Sequence, residues 1–421
     1  DVAVVGRFAG SNALAAVGSC VALVGIFVNL IVGLAVGPNA ALANLIGQNK
    51  REKISGMLHT ILTFGAVLGI VLMGVGMLTA RTVLEASGTP ESVMADALLY
   101  IRIYFLGLPF MVIYNFGAAI LRSYGDTRRP LYYLIISGTL NVILNLLLVI
   151  EFHLGVAGVA IATAVSRLIE LAACVIVSFL SKDVKLNLTF MFIRSKVLFG
   201  DFVRLSLPAL GNDISWSVAF SMYSVILGHL GTDAVAANSL VTVVRNIGSV
   251  FCFAIASAGT ILLGNVMGKG DLEKSKVYAS RMLKMTIIAG AIGGVIVFAI
   301  TPLVLRFASL SDGAMHYLKY MLLINTYYIM GSAVNTALIA GVFRAGGDTK
   351  FGLICDTIDM WVYAVPLGFF AAFVLKLPVL WVYFLLCTDE FVKWPWVFHH
   401  YRQGKWAQNI TREDLFEQKA S

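Results

Sequence analysis

Long apolar segments separated by short polar breaks run the whole length of the chain. Runs of roughly 20 residues or more, enough to cross ~30 Å of hydrocarbon, lie near 11–36, 54–80, 95–121, 131–151 and 155–180. Six more follow at 205–229, 233–263, 279–307, 316–343, 352–375 and 377–398, and a short apolar stub occupies 1–9. None of them sustains a period of two. Lipid admits only helices or closed barrels, so this pattern predicts an all-α membrane protein.

The breaks recur in register. VGRFAGSNALAAVG at 5–18 returns as LGHLGTDAVAANSL at 227–240, ANLIGQNKREKISGMLHTIL at 43–62 as GNVMGKGDLEKSKVYASRML at 264–283, and RSYGDTRRP at 122–130 as RAGGDTKFG at 344–352. The offsets are 222, 221 and 222, which marks a block duplication. The 222 offset pairs Asp1 with Tyr223. We therefore expect twelve transmembrane helices, with most of the first lying before residue 1. Six helices per copy is an even number, so both copies enter the membrane from the same side as parallel repeats, a common plan for secondary transporters. The predicted organisation is an N-terminal six-helix lobe at 1–181, a linker at 182–204, a C-terminal six-helix lobe at 205–402 and a tail at 403–421.

Composition agrees with a life in lipid. Charged residues are 13% of the chain, against about 25% in soluble domains, and hydrophobic residues are 59%. The loops at 50–53, 122–129, 181–204, 269–284 and 344–350 and the tail from Lys393 hold 23 of the 31 Lys and Arg. The positive-inside rule makes that face cytoplasmic, C-terminus included, in a multi-pass protein of the cytoplasmic membrane. The net charge of +8 is thereby explained without nucleic acid. The linker mixes Phe190, Met191, Phe192, Val197, Leu198 and Phe199 with Arg and Lys, the pattern of a helix lying on the inner membrane surface. The five cysteines fall inside predicted spans without motif spacing and read as core residues. No G-x-x-x-x-G-K-[ST] or H-E-x-x-H occurs, so neither ATP hydrolysis nor zinc chemistry is expected. We expect no enzyme activity and no cofactor, and a monomer in the bilayer.

Ionisable residues at membrane depth are the candidates for function. Asp213 lies nine residues beyond Arg204, Asp359 nine beyond Lys350, and Lys393 nine before Arg402. At 1.5 Å per residue each sits ~13 Å into the membrane. Asp356 is one turn from Asp359, and Asp389 and Glu390 are within a turn of Lys393. These residues fit a proton relay or a docking site for a cationic substrate; they also fit a static ion-pair network locking three helices. Arg167 and Glu170, three apart, read as an internal salt bridge. Tyr104, Tyr114, Trp216, Tyr223, Tyr327 and Tyr328 are candidates for a cavity wall meeting organic cations through their ring faces, or for packing and the interfacial belt. The two Gly-Asp-Thr turns, at 125–127 and 347–349, read as helix punctuation, with Gly ending one helix and Asp or Thr capping the next. Pro38, Pro109 and the glycines between Gly33 and Gly37 are places where helices can bend.

The chain resembles the MATE family, the multidrug and toxic compound extrusion transporters, in its bacterial form. The resemblance rests on V-G-R at 5–7 with Asp1 five residues before the Gly, R-x-x-G-D-T in both halves, and G-V-A-G-x-A-x-A-T at 155–163. It implies two six-helix lobes arranged as a V, and export of organic, often cationic, compounds in exchange for protons or sodium by alternating access. It also implies a cation site in the N-terminal lobe, matched here by Asp1, Asn141, Asn145 and Thr163, where Na⁺ or a proton would bind. Two positions depart from the family: many members carry a second Asp where this chain has Asn145, and the C-lobe acid that some carry on helix ten has no match in 327–343. The coupling ion is therefore expected at the N-lobe site, at the C-lobe cluster, or at both. The alternative is a flippase for lipid-linked precursors, which would need a cavity rich in Arg and Lys. Acids outnumber bases inside the spans, which favours a cationic substrate.

Overall fold

The computed structural model describes residues 2–49, 51–86, 89–180, 196–308, 310–408 and 410. Among them every regular element is a helix. The chain divides into two units: one comprises 1–42 and 50–203, the other 43–49 and 204–421. α2, Ser11–Gln48, gives its last residues to the second unit.

The first unit holds α1 (Val2–Phe8), most of α2, α3 (Arg51–Ala86), α4 (Glu91–Leu106), α5 (Leu108–Ser123), α6 (Arg128–Leu146) and α7 (Gly155–Leu180). α3 packs on α5, α6 on α7, and α4 on both α3 and α7. The span read as one helix over 95–121 is two, bent by 42° at Gly107. Pro109, in the first turn of α5, has no N–H to continue the ladder from α4. The first Gly-Asp-Thr turn works as punctuation: Gly125 takes φ +86°, and Asp126 Oδ1 accepts from the backbone N–H groups of Arg128 and Arg129, both at 3.1 Å.

The second unit is built on α9 (Thr232–Gly268), α10 (Leu272–Phe307) and α11 (Asp312–Asn335), which pack on one another. Small residues set their spacing. A Cβ on Gly293 would lie 2.2 Å from the Gly248 carbonyl oxygen, and one on Gly294 2.7 Å from that of Thr326. The Asn-x-x-Gly ends of α2 and α9 cross in the same manner: a Cβ on Gly47 would meet the Asn265 oxygen at 2.2 Å, and one on Gly268 the Asn44 oxygen at 2.0 Å.

Three elements differ from the sequence reading. α8, Lys196–Leu230, begins before 205, so 196–204 is continuous with the helix that follows it, while 181–195 of the linker lies outside the described residues. The span at 352–375 is α-helical over Thr349–Ile358 (α12), passes through a π turn at Asp359–Ala364, and returns to α-helix at Val365–Phe369 (α13). Pro366 lacks the N–H an α ladder would use, and Val365 N–H reaches back five residues to Met360. The last span, read as continuous over 377–398, is three pieces: α14 (Val379–Leu386), α15 (Asp389–Val392) and α16 (Trp394–Gln403). Among the described residues eight helices are long and apolar enough to cross a membrane, nine with the bent α4–α5 pair, against eleven full spans read from hydropathy. The remaining two are α8 and the broken α14–α16.

Candidate functional site

The breaks around α15 place charge at the centre of the second unit. Asp389 and Glu390 open α15 and Lys393 closes it, and all three are buried. Lys393 Nζ lies 3.0 Å from Asp356 Oδ1, 3.4 Å from Asp359 Oδ2 and 3.4 Å from Glu390 Oε2. Asp356 and Asp359 sit one turn apart where α12 passes into its π turn, each 6% exposed. Three carboxylates thus share one ammonium, and Asp389 lies beside them, its Oδ1 accepting from the Glu390 backbone N–H at 2.8 Å. Neither oxygen of Asp359 receives a hydrogen bond. Its link to Lys393 is one of charge alone.

Neutral side chains connect the cluster outward. Asn212 Nδ2 donates to Asp356 Oδ2 at 2.7 Å, and Asn335 Nδ2 to Glu390 Oε2 at 2.5 Å. The Tyr223 hydroxyl donates to Asp389 Oδ2 at 3.3 Å, and the Tyr328 hydroxyl to Glu390 Oε1 at 3.4 Å. Asp213 does not join this group. It pairs with Arg344 at 2.6 Å, and the depth that it shares with Asp359 and Lys393 does not bring it to them.

Tyr223 and Tyr328 belong to the wall of a cavity of about 200 Å³, together with Phe220 and Tyr383. Its one Arg, Arg245, sits with its guanidinium carbon 4.6 Å from the centre of the Phe220 ring and 5.6 Å from that of Tyr328. Asn238 and Thr242 line the same wall from the preceding turns of α9. The cavity lies entirely within the second unit. None of its lining side chains is an acid.

Of the aromatic candidates, only Tyr223 and Tyr328 line this cavity. Trp216 packs against the wall residue Phe220 at a tilt of 57°, with ring centroids 4.3 Å apart. Tyr327 turns to Phe384 and Phe391, at 5.8 and 5.5 Å, in place of the cavity position expected for it. Tyr114 donates to the Pro130 carbonyl at 3.0 Å, and Tyr104 stacks on Tyr100, both in the first unit. Phe220, Tyr383 and Arg245 were not singled out as wall residues. The signal was present in two helical faces, 216–220–223 on α8 and 238–242–245 on α9.

In the first unit, Asn145 Nδ2 donates to Asn141 Oδ1 at 3.0 Å, Asn141 Nδ2 to Thr163 Oγ1 at 3.3 Å, and Thr163 to the Val159 carbonyl at 3.1 Å. The three candidates form one hydrogen-bonded chain, while Asp1 lies outside the described residues. Arg167 and the buried Glu170 pair at 2.8 Å. Among the described residues no group of three His, Cys, Asp or Glu is arranged to hold a metal ion.

Comparison with known proteins places these observations. The MatE family model matches residues 1–147 and 208–370. The probable multidrug resistance protein YoeA of Bacillus subtilis (strain 168) is 26% identical over 389 residues, covering 90% of this chain and 83% of that protein. The probable multidrug resistance protein NorM of Listeria innocua is 25% identical over 359 residues, covering 81% and 76%. The fold is that of a solved Vibrio cholerae MATE transporter, VcmN in its bent form, with a TM-score of 0.88 at 17% identity over 97% of this chain and 92% of that one.

Proposed function

Because this chain belongs to the MATE family of membrane transporters, we propose that it exports organic compounds from the cytoplasm in exchange for protons, with the coupling protons held at the Asp356–Asp359–Asp389–Glu390–Lys393 cluster. The observation that carries this reading is the pair of hydroxyl links, Tyr223 to Asp389 and Tyr328 to Glu390, between the cluster and the cavity wall. Buried carboxylates outnumber the ammonium they surround, so the cluster has acid sites to which protons can be delivered during exchange. An ionised Asp389 or Glu390 accepts the tyrosine hydroxyl; a protonated one has its own O–H to place, and the ring must find another partner. Filling the cluster with protons therefore changes the wall that holds the cargo. Exchange follows if the outward-facing state takes the proton and the inward-facing state takes the cargo more tightly.

Lys393 at the centre of the cluster repels a metal cation, which argues for protons there. A sodium ion, if one is used, belongs at Asn141, Asn145 and Thr163, whose amide and hydroxyl oxygens suit Na⁺ when a carboxylate such as Asp1 completes them. The expectation of a cationic cargo rested on the excess of acids inside the spans. Those acids face Lys393 and Arg344 and do not line the cavity, so they give that expectation no support. The flippase alternative gains little, since one Arg is far from the cationic lining a lipid pyrophosphate requires. The protein is placed in the cytoplasmic membrane with its C-terminus inside, from its charge distribution.

The test is dye movement in proteoliposomes under separately imposed proton and sodium gradients, with Asp359→Asn and Asn141→Ala as variants. Proton-driven efflux lost in Asp359→Asn and kept in Asn141→Ala supports the reading. Sodium-driven efflux indifferent to Asp359→Asn overturns it.

A further inference from the structure

The charge of the cavity is opposite in sign to that of the cluster behind it. Arg245 has no ion-pair partner among the described residues, although the cluster lies just beyond the tyrosines. Its guanidinium carbon lies over the rings of Phe220 and Tyr328. Among the described residues no hydrogen bond occupies its N–H donors. The acids that might attract a cationic ligand are held back: Asp389 and Glu390 are 0% and 2% exposed, and each accepts a hydroxyl from a wall tyrosine.

We propose that this cavity seats the anionic group of an aromatic organic compound, with Arg245 as its charge partner. The identification deepens the export reading above and rests on it for the word cargo. At about 200 Å³ the cavity is below the ~300–1,000 Å³ of sites that enclose a whole drug-sized ligand, so it holds one end of the molecule. A carboxylate or sulfonate meets the N–H edge of Arg245 and the Asn238 amide, one face of α9 supplying both. A ring attached to it packs against Tyr223 and Tyr383. The hydroxyls of Ser224 and Thr242 donate to carbonyls on their own helices, Phe220 at 3.4 Å and Asn238 at 2.9 Å. They are left as acceptors for polar substituents and are not part of the anion's donor set.

The experiment is equilibrium binding to the full-length protein in nanodiscs, without any gradient, read by dye anisotropy. The probes are anionic carboxyfluorescein and cationic ethidium. Wild type is expected to bind carboxyfluorescein, and Arg245→Gln to weaken it by about tenfold or more, the scale of one lost hydrogen-bonded charge contact. Arg245→Lys keeps part of the affinity, and Asn238→Asp, which places a negative charge on the same wall, weakens carboxyfluorescein and tightens ethidium. The same variants must keep the wild-type melting temperature within a few degrees; Asn238→Asp is the second measurement if Arg245→Gln does not fold. Carboxyfluorescein affinity within twofold of wild type in both Arg245→Gln and Asn238→Asp overturns the proposal, as does a wild type that binds ethidium alone. Charge-selective binding with no gradient-driven movement of either dye supports the anion seat and overturns the export reading, so the two failures are told apart.

Discussion

Lys393 holds three carboxylates within 3.4 Å and is 4% exposed, so its charge and theirs are bound together. Replacing it by Met leaves buried acids without a counter-charge. We predict a loss of about 3–5 kcal/mol in stability, the usual consequence of breaking a buried pair from one side. Adding Asp356→Asn to Lys393→Met recovers part of that loss, because it removes one of the stranded charges. Thermal unfolding in detergent measures both, and an unchanged melting temperature in Lys393→Met means that the acids are neutral without it. Helix rise groups Asp213, Asp359 and Lys393 in the sequence, and one-turn spacing adds Asp356 to Asp359. It could not separate Asp213 from Asn212. Adjacent residues point ~100° apart around a helix, and it is Asn212 that reaches Asp356 while Asp213 turns to Arg344. Rise per residue carries no azimuth, which is also why the sequence offers Tyr327 beside Tyr328 when only Tyr328 lines the cavity.

At the scale of the elements, close helix crossings depend on missing side chains. A methyl at Gly268 would sit 2.0 Å from the Asn44 oxygen, and backbone carbonyls do not move aside cheaply. Gly268→Ala is predicted to destabilise by about 1–3 kcal/mol through overpacking. Gly25→Ala, with nothing within 4 Å of its new carbon, is expected to be neutral or slightly stabilising. Equal melting temperatures for the two variants would remove the crossing from any account of stability. The repeated Asn-x-x-Gly pattern announced these positions, but as helix ends; that the two ends touch is a fact of packing over 220 residues of sequence. Hydropathy located the eight long apolar helices and the bent α4–α5 pair because apolar length is a local property. It missed the breaks at Cys387–Thr388 and Lys393 because a window that averages about 20 residues stays apolar across them. Pro366 likewise marks a position without an N–H, yet whether the ladder answers with a kink or a π turn is decided by its neighbours.

For the molecule as a whole, charge predicts the side on which each loop lies, and the protein carries a convenient means of checking it. All five cysteines are free and buried, so an introduced cysteine at an exposed loop position would be labelled against a low background. Lys269 and Lys405 are exposed positions on the Lys- and Arg-rich face, and Arg306 and Lys376 are exposed on the opposite one. The positive-inside bias assigns the first pair to the cytoplasm. Single cysteines at Lys269 and Lys405 are therefore predicted to react with a membrane-impermeant maleimide only after the cells are opened, and those at Arg306 and Lys376 in intact cells. The two Lys-rich sites derive from different parts of the second repeat, so agreement between them tests the helix count between residues 269 and 405 as well as its orientation. An even number of crossings separates them if the broken α14–α16 segment crosses the membrane as a single span. Labelling of Lys405 from outside with Lys269 protected would mean that this segment does not cross. Lys393 and its carboxylates would then lie near a surface, and a water-exposed cluster would have no reason to store protons for exchange.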